Sequence, residues 1–309
     1  MKTMVGLIRA EILQHRGSLL ITPLVIAGLI AAFVLAQLFF STSGVNIEFG
    51  SFDVRLDGRR IIDPDAFESV GQTVGAAFGI FGVPIFFVAN VLAFFVMLSA
   101  LYEERAERTV LFFKSMPVSD TQAVLAKYVT ASFIGPFIAI AVMMGLTIVL
   151  SLSTAIVFTV RGVPQVWGFL LELPLLRLFT SLAGYYSLYA LWVAPIFAYL
   201  LMMSALAPRS PFLFALLPVA VAVIAEAILF GSDFVASEIG NRGLAIYLAE
   251  AIETSRSLLG ARAETGFDAY FMRFTDILAT LAVPAFWIGL GCAALFLTVA
   301  IWSRSRKTL

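Results

Sequence analysis

Six long apolar stretches constrain the fold of this chain more than any other feature. A helix needs ~20 predominantly apolar residues to cross the hydrocarbon core of a bilayer. Backbone polar groups in lipid must be satisfied within the segment itself, which favours helices. The sequence therefore predicts an all-α polytopic membrane protein with six transmembrane helices in a single domain, 1–309. The stretches cover about 18–40, 72–101, 128–150, 180–206, the segment from the 207–211 turn to 230, and 276–302.

Composition supports the same class and excludes several others. Hydrophobic residues make up 61% of the chain and charged residues 13%, with a mean hydropathy of +0.99, whereas soluble domains carry about 25% charged residues. The net charge is zero, so nothing favours binding of nucleic acid. The single cysteine, Cys292, and the single histidine, His15, are far apart, which argues against a disulfide or a zinc site.

The segments between the apolar stretches predict the topology. Met4, Leu7, Ile8 and Ile12 share one helical face, which predicts an amphipathic helix over 1–16 lying along the membrane. A small hairpin is predicted between 45 and 56, and 231–275 is expected to be an external segment with a helix at about 243–259. Arginine and lysine are denser on the side of the two termini, which places both termini in the cytosol.

Glycine and proline positions predict close helix contacts and kinks. Gly71, Gly75 and Gly79 recur every four residues, so they provide a smooth face for another helix. Pro84, together with Gly82, predicts a kink in the second span, and Gly135-Pro136 predicts a kink in the third.

The segment between the second and third spans, Tyr102 to Lys127, has a pattern of its own. Five of its first seven residues are charged, so it cannot lie in hydrocarbon. Glu104 and Arg108 have the i,i+4 spacing of a helical ion pair. A short apolar ridge containing Phe112 follows, and after the Pro117 break Ser119 and Gln122 form a capping box for the next helix. The pattern predicts a rigid elbow, and an ordinary charged loop is the alternative.

The elbow resembles the corresponding loop of the permeases of type 2 ABC transporters. The resemblance lies in the charged cluster, Thr109 with the apolar run after it, Met116-Pro117-Val118-Ser119, and Lys127 before the next span. It implies a multi-pass permease subunit of an ATP-driven exporter in the bacterial cytoplasmic membrane. Two such chains, expected to be a homodimer, would form the substrate path above two separate ATP-binding subunits that hold ATP and magnesium. The residues implied in coupling to those subunits are Glu103, Glu104, Arg105, Arg108, Phe112 and Phe113.

No enzyme motif or cofactor is expected in the chain itself. It has no glycine-rich phosphate loop, no His-Glu-x-x-His helix and no nucleophile elbow. Two other classes stay open: a non-transporting membrane scaffold or sensor, and an intramembrane enzyme using Glu226 and Asp276, although no nucleophile–base pair accompanies those two carboxylates.

Four residues are candidates for a substrate path. Asn90 lies deep in the second span, where a hydrogen bond to another helix is the preferred interpretation. Tyr189 and Trp192 belong to an aromatic stripe that either forms an interfacial belt or lines the path. Glu226 lies near the outer end of the fifth span, where a carboxylate is either functional or shallow enough for water to reach it.

Overall fold

The computed structural model describes residues 2–40, 46–49, 52–55, 64–107, 118–160, 167–168, 175–242 and 281–306. Within these ranges the chain is helical apart from one hairpin, as an all-α polytopic membrane protein requires. Five helices are long and apolar enough to cross a membrane, or six if one bent helix pair is a single span. The helices are α1 (Lys2–Gln14), α2 (Thr22–Phe40), α3 (Pro64–Ala106), α4 (Asp120–Val129), α5 (Gly135–Val160), α6 (Leu175–Trp192), α7 (Ala194–Leu206), α8 (Pro211–Phe230), α9 (Phe234–Arg242) and α10 (Pro284–Arg306).

The predicted hairpin is present between α2 and α3. Strands β1 (Asn46–Phe49) and β2 (Phe52–Arg55) pair antiparallel, with Asn46 opposite Arg55. The predicted helix at 243–259 and the elbow residues 108–117 lie outside the described residues.

Two helices of similar composition occupy opposite environments. Helix α7 is apolar all round and forms the centre of the bundle, packed against α3 and α10. Ala93 of α3, Ala198 of α7 and Ala300 of α10 are completely buried, because small side chains let helix backbones approach closely. Helix α8 is equally apolar, yet Leu217, Val221 and most of its other large side chains are exposed. An exposed apolar surface of that extent suits contact with lipid.

Prolines interrupt the helices at several places in the described residues. Short π-helical turns cover Gly17–Ile21, just before Pro23, and Thr130–Ile134, just before Gly135-Pro136. Proline has no N–H to donate to the carbonyl four residues earlier. In the second case that carbonyl belongs to Ser132, and it accepts a hydrogen bond of 2.5 Å from the Tyr186 hydroxyl. At Gly135-Pro136, where a kink was predicted, the structure has a π-helical turn, and the unused carbonyl is satisfied by a neighbouring helix.

The predicted fourth span, 180–206, is bent in the structure. The segments Leu182–Trp192 and Ala194–Leu206 meet at an angle of 55°, with the break at Val193. Pro195 is the cause, because it cannot donate to the carbonyl of Leu191 and it stands in the first turn of α7.

Two other expectations concern α1 and α3. Helix α1 packs against α4, and Leu7, from its predicted apolar face, is buried together with Glu11. That face therefore turns towards protein, while Val5 and Leu13 are exposed. Helix α3 continues through Pro84. The surroundings of Gly71, Gly75 and Gly79 lie outside the described side chains, so the glycine contact stays a prediction.

Candidate functional site

Five charged side chains meet at one end of the bundle, where α1, α3, α4 and α10 converge. We call Glu11, Glu104, Asp120, Lys127 and Arg304 the charged cluster. Lys127 Nζ donates to Glu11 Oε1 at 2.8 Å and lies 3.1 Å from Glu104 Oε1. Arg304 Nη1 lies 2.8 Å from Glu104 Oε2, and its Nε donates to Asp120 Oδ1 at 3.1 Å. The side chains of Lys127, Glu104 and Arg304 are each 5% exposed or less.

Local sequence explains how these charges are positioned. The predicted capping box is present, since the Gln122 N–H donates to Ser119 Oγ at 3.2 Å and the Ser119 N–H donates to Gln122 Oε1 at 3.3 Å. It fixes the start of α4, where Asp120 complements the positive end of the helix dipole. Lys127 follows two turns later on the same face. Glu104 and Arg304 stand in the last turns of α3 and α10, so both helices end in the cluster.

The charged cluster carries one negative charge in excess. Its three carboxylates are matched by one ammonium and one guanidinium group. His15 lies beside it, with Nε2 3.9 Å from Glu11 Oε2. Burial lowers the pKa of His15 more than the neighbouring Glu11 carboxylate raises it. The imidazole is therefore neutral at pH 7 and leaves the negative excess in place.

Arg105 connects the same end of α3 to the central helix α7. Its Nη2 donates to the Ser204 carbonyl at 2.6 Å and to the Ala207 carbonyl at 3.0 Å. These carbonyls end α7, where a cation is favourable. Ser204 Oγ in turn accepts the backbone N–H groups of Leu101 and Tyr102 at 3.1 and 3.0 Å. The elbow therefore leaves α3 from a point that is attached to α7.

The elbow residues predicted to meet a partner fall into three groups. Glu104 is 3% exposed and Arg105 binds α7, so both have their contacts within the chain. Glu103 is half-buried. The other three predicted coupling residues, Arg108, Phe112 and Phe113, lie outside the described residues. Glu104 contacts Lys127 and Arg304, and its predicted i,i+4 pair with Arg108 stays a prediction.

The four path candidates do not form one site. Asn90 is 4% exposed, and its Nδ2 donates to the Phe86 carbonyl of its own helix at 2.9 Å. Tyr189 packs on the ring of the same Phe86, with centroids 6.5 Å apart. The candidates Asn90 and Tyr189 therefore share one region. Trp192 and Glu226 both contact α9 instead.

The Glu226 carboxylate has a structural role, which explains why an acidic residue stands at this position. It accepts the Ser232 hydroxyl at 2.6 Å and the Phe234 N–H at 2.8 Å through Oε1, and the Val235 N–H at 2.7 Å through Oε2. The carboxylate therefore caps the start of α9, where unpaired N–H groups and the helix dipole favour an anion. Asp276, its suggested partner in an enzyme, lies outside the described residues.

No protein-family model matches the sequence, and no curated protein matches it either. The structure by itself establishes a multi-pass helical membrane protein with a buried charged cluster at one end. Across the described stretches, no group of three or more His, Cys, Asp and Glu side chains could hold a metal ion.

Sequence reasoning missed three members of the charged cluster: Glu11, Asp120 and Arg304. A signal for Glu11 exists, because it stands four residues after Leu7 and so shares the apolar face of α1. An acid on such a face needs a cationic partner from another element. The identity of that partner, Lys127, depends on the tertiary fold.

Proposed function

We propose that this chain is the permease subunit of an ATP-driven exporter of the type 2 ABC class. Two chains would form the substrate path, and separate ATP-binding subunits would dock on the elbow between α3 and α4. The observation that carries the proposal is that the charged cluster clamps both ends of this elbow. Glu104 stands at its start and Lys127 at its end, and their charged atoms are 3.1 Å apart.

The clamp provides a mechanical route from the elbow into the bundle. Movement of the elbow displaces Glu104 and Lys127 together, and these two residues hold Glu11 of α1 and Arg304 of α10. Arg105 extends the route to α7 through the Ser204 carbonyl. Breaking a buried ion pair by removing one partner costs about 3–5 kcal/mol. The helices therefore follow the elbow instead of separating from it.

The orientation of the proposed subunit follows from its basic residues. Arg9 and Arg16 at the start of the chain, Arg209 between α7 and α8, and Arg306 at the end of α10 are exposed. Positively charged segments favour the cytosolic side of a membrane. This supports a cytosolic position for the charged cluster and both termini in a bacterial cell, with six spans when α6 and α7 are counted as one broken span.

Phe112 provides a test that leaves the charged cluster intact. The wild-type chain, purified in mild detergent from its native host, should bring an ATP-binding subunit with it. Buried aromatic anchors often contribute more than 1 kcal/mol to an interface, so Phe112→Ala should lower the amount of bound subunit by roughly fivefold or more. Phe95→Ala is the matched control, because Phe95 is an exposed aromatic residue of α3, 52% exposed, and it should change nothing.

Two results would contradict the proposal. The first is a wild-type preparation, made under these conditions, that contains no ATP-binding subunit. The second is a Phe112→Ala permease that keeps the full complex and full transport.

A further inference from the structure

The break between α6 and α7 is occupied by a positive charge from α9. Arg242, the last residue of α9, is only 8% exposed although α9 is largely exposed. Its Nη1 donates to the Trp192 carbonyl at 3.2 Å, and its Nη2 donates to the Ala285 carbonyl at 2.6 Å. Its Nε donates to Glu238 Oε2 at 3.1 Å. One guanidinium group therefore joins α6, α9 and α10.

The broken helix creates the acceptor at this position. In a continuous helix the Ile196 N–H would bond to the Trp192 carbonyl, but here it bonds to the Val193 carbonyl at 2.9 Å. The Trp192 carbonyl consequently points to a donor outside the helix. Carbonyls at interrupted membrane helices are recurrent cation ligands in transporters.

The remaining walls also suit a cation. The Trp192 ring centroid lies 4.9 Å from Arg242 Cζ, within the range of a cation–π contact. Phe286 stacks on Trp192 with centroids 6.4 Å apart and ring planes 23° apart. On the α10 side, Gly289 has no side chain and so makes room for the guanidinium group. A Cβ there would lie 3.0 Å from Arg242 Cζ and overlap Nη1. We call the aromatic face and the two carbonyls the cation cage; Glu238 belongs to α9 and adds its carboxylate only while α9 is in place.

The guanidinium group in the cage, that of Arg242, belongs to α9, which is anchored separately at its two ends. Helix α9 has nine residues and follows α8 across Gly231, whose left-handed conformation, with a φ of +58°, ends α8. Glu226 caps its first turn, and Arg242 is held in the cage at its last residue. Between these two anchors Phe234 and Ile239 are 67% and 38% exposed. Little apolar packing therefore holds α9 in place.

We propose that the cation cage binds the guanidinium or ammonium group of an exported organic cation, and that Arg242 occupies it as a tethered substitute until α9 withdraws. This inference rests on the proposed function, in which two chains form an export path, and it takes the broken α6–α7 span as part of the lining of that path. It adds the class of substrate: an amphiphilic cation whose charged group is recognised by the two carbonyls and the Trp192 face.

The test uses purified protein without any ATP-binding subunit. Arg242→Ala empties the cage, and methylguanidinium chloride at millimolar concentration is the probe. Methylurea is the neutral probe of similar shape, and sodium chloride keeps the ionic strength equal. Methylguanidinium should raise the midpoint of thermal unfolding of Arg242→Ala saturably, whereas methylurea should not. The wild-type protein should show no saturable rise, because its own guanidinium fills the cage.

Matched variants localise the effect. Arg209→Ala removes an exposed arginine from the α7–α8 turn and should show no saturable rise. Adding Glu238→Gln to Arg242→Ala should weaken methylguanidinium binding about tenfold, because a charge-assisted hydrogen bond is lost. Glu226→Ala keeps the whole cage but removes the cap that anchors α9, so it should gain methylguanidinium binding. This variant decides the question if Arg242→Ala fails to fold.

A second probe addresses the substrate class. Octylguanidinium should bind Arg242→Ala more tightly than methylguanidinium, and it should bind wild type at least tenfold more weakly than the variant, because Arg242 competes. Equal effects of methylguanidinium and methylurea, or no saturable binding to either Arg242→Ala or Glu226→Ala, would overturn the inference. These measurements need no ATPase, so they can fail while the complex with an ATP-binding subunit is still found.

Discussion

At the residue scale, Lys127 is the side chain on which the charged cluster depends most. It is the cation between Glu11 and Glu104, both of which are buried. Lys127→Met would leave two carboxylates facing each other without that ammonium group. Because removing one partner of a buried pair costs about 3–5 kcal/mol, we expect the free energy of unfolding to fall by that amount. Denaturant unfolding in detergent micelles measures it.

The matched control for Lys127 is Arg209→Met, which removes an exposed cation and should change stability by less than about 0.5 kcal/mol. Adding Glu11→Gln to Lys127→Met removes one of the orphaned charges and should recover part of the loss. Equal stabilities of Lys127→Met and Arg209→Met would show that these ion pairs are solvated and contribute little.

Residue-level prediction from the sequence succeeded where the rule was local. The capping box at Ser119 and Gln122 involves neighbours in the chain, and the structure contains it. The contacts of Glu104 could not be predicted in the same way. Lys127 and Arg304 reach Glu104 from α4 and α10, and no local spacing rule indicates either of them. Which long-range partner a buried charge meets is decided by how the helices pack.

At the element scale, the two π-helical turns belong to one close contact. A Cβ added at Gly135 would lie 2.7 Å from Leu19 Cδ2, closer than atoms of packed helices normally approach. Gly135→Ala should therefore destabilise the protein by about 1–3 kcal/mol relative to Gly145→Ala, whose Cβ would meet nothing within 4 Å. In a Leu19→Ala background, Gly135→Ala and Gly145→Ala should differ much less. Identical unfolding midpoints for the two single variants would contradict the contact.

Proline explains how far the elements could be predicted. A kink was predicted at Gly135-Pro136 because a missing N–H has a local effect, and the structure has a π-helical turn there. Pro195 has the same local effect, but the donor to the Trp192 carbonyl, Arg242, lies 50 residues further along the chain. The apolar character of 180–206 predicted the span and not its bend, since hydrophobicity does not report where a helix bends.

At the scale of the whole molecule, hydrophobicity identified the membrane class but not the arrangement of the helices. Helices α7 and α8 have nearly the same composition, and yet α7 is the centre of the bundle while α8 is largely exposed. In a membrane, lipid and protein are equally apolar, so burial follows small residues and polar contacts. Ala198 of α7 and the Ser204 and Arg105 contacts at its end carry that information.

The side of the membrane on which the charged cluster and the elbow lie is the central claim of the proposed function, because an ATP-binding subunit can reach them only from the cytosol. Cysteine accessibility in intact cells tests it most directly. Cys292→Ser removes the native thiol, and single cysteines then replace Asp57, Arg256 or Ala106, of which Ala106 is exposed at the end of α3. We predict that an impermeant maleimide labels the cysteines at 57 and 256 in intact cells and labels the one at 106 only after permeabilisation. Labelling at 106 in intact cells would place the elbow outside and contradict the account.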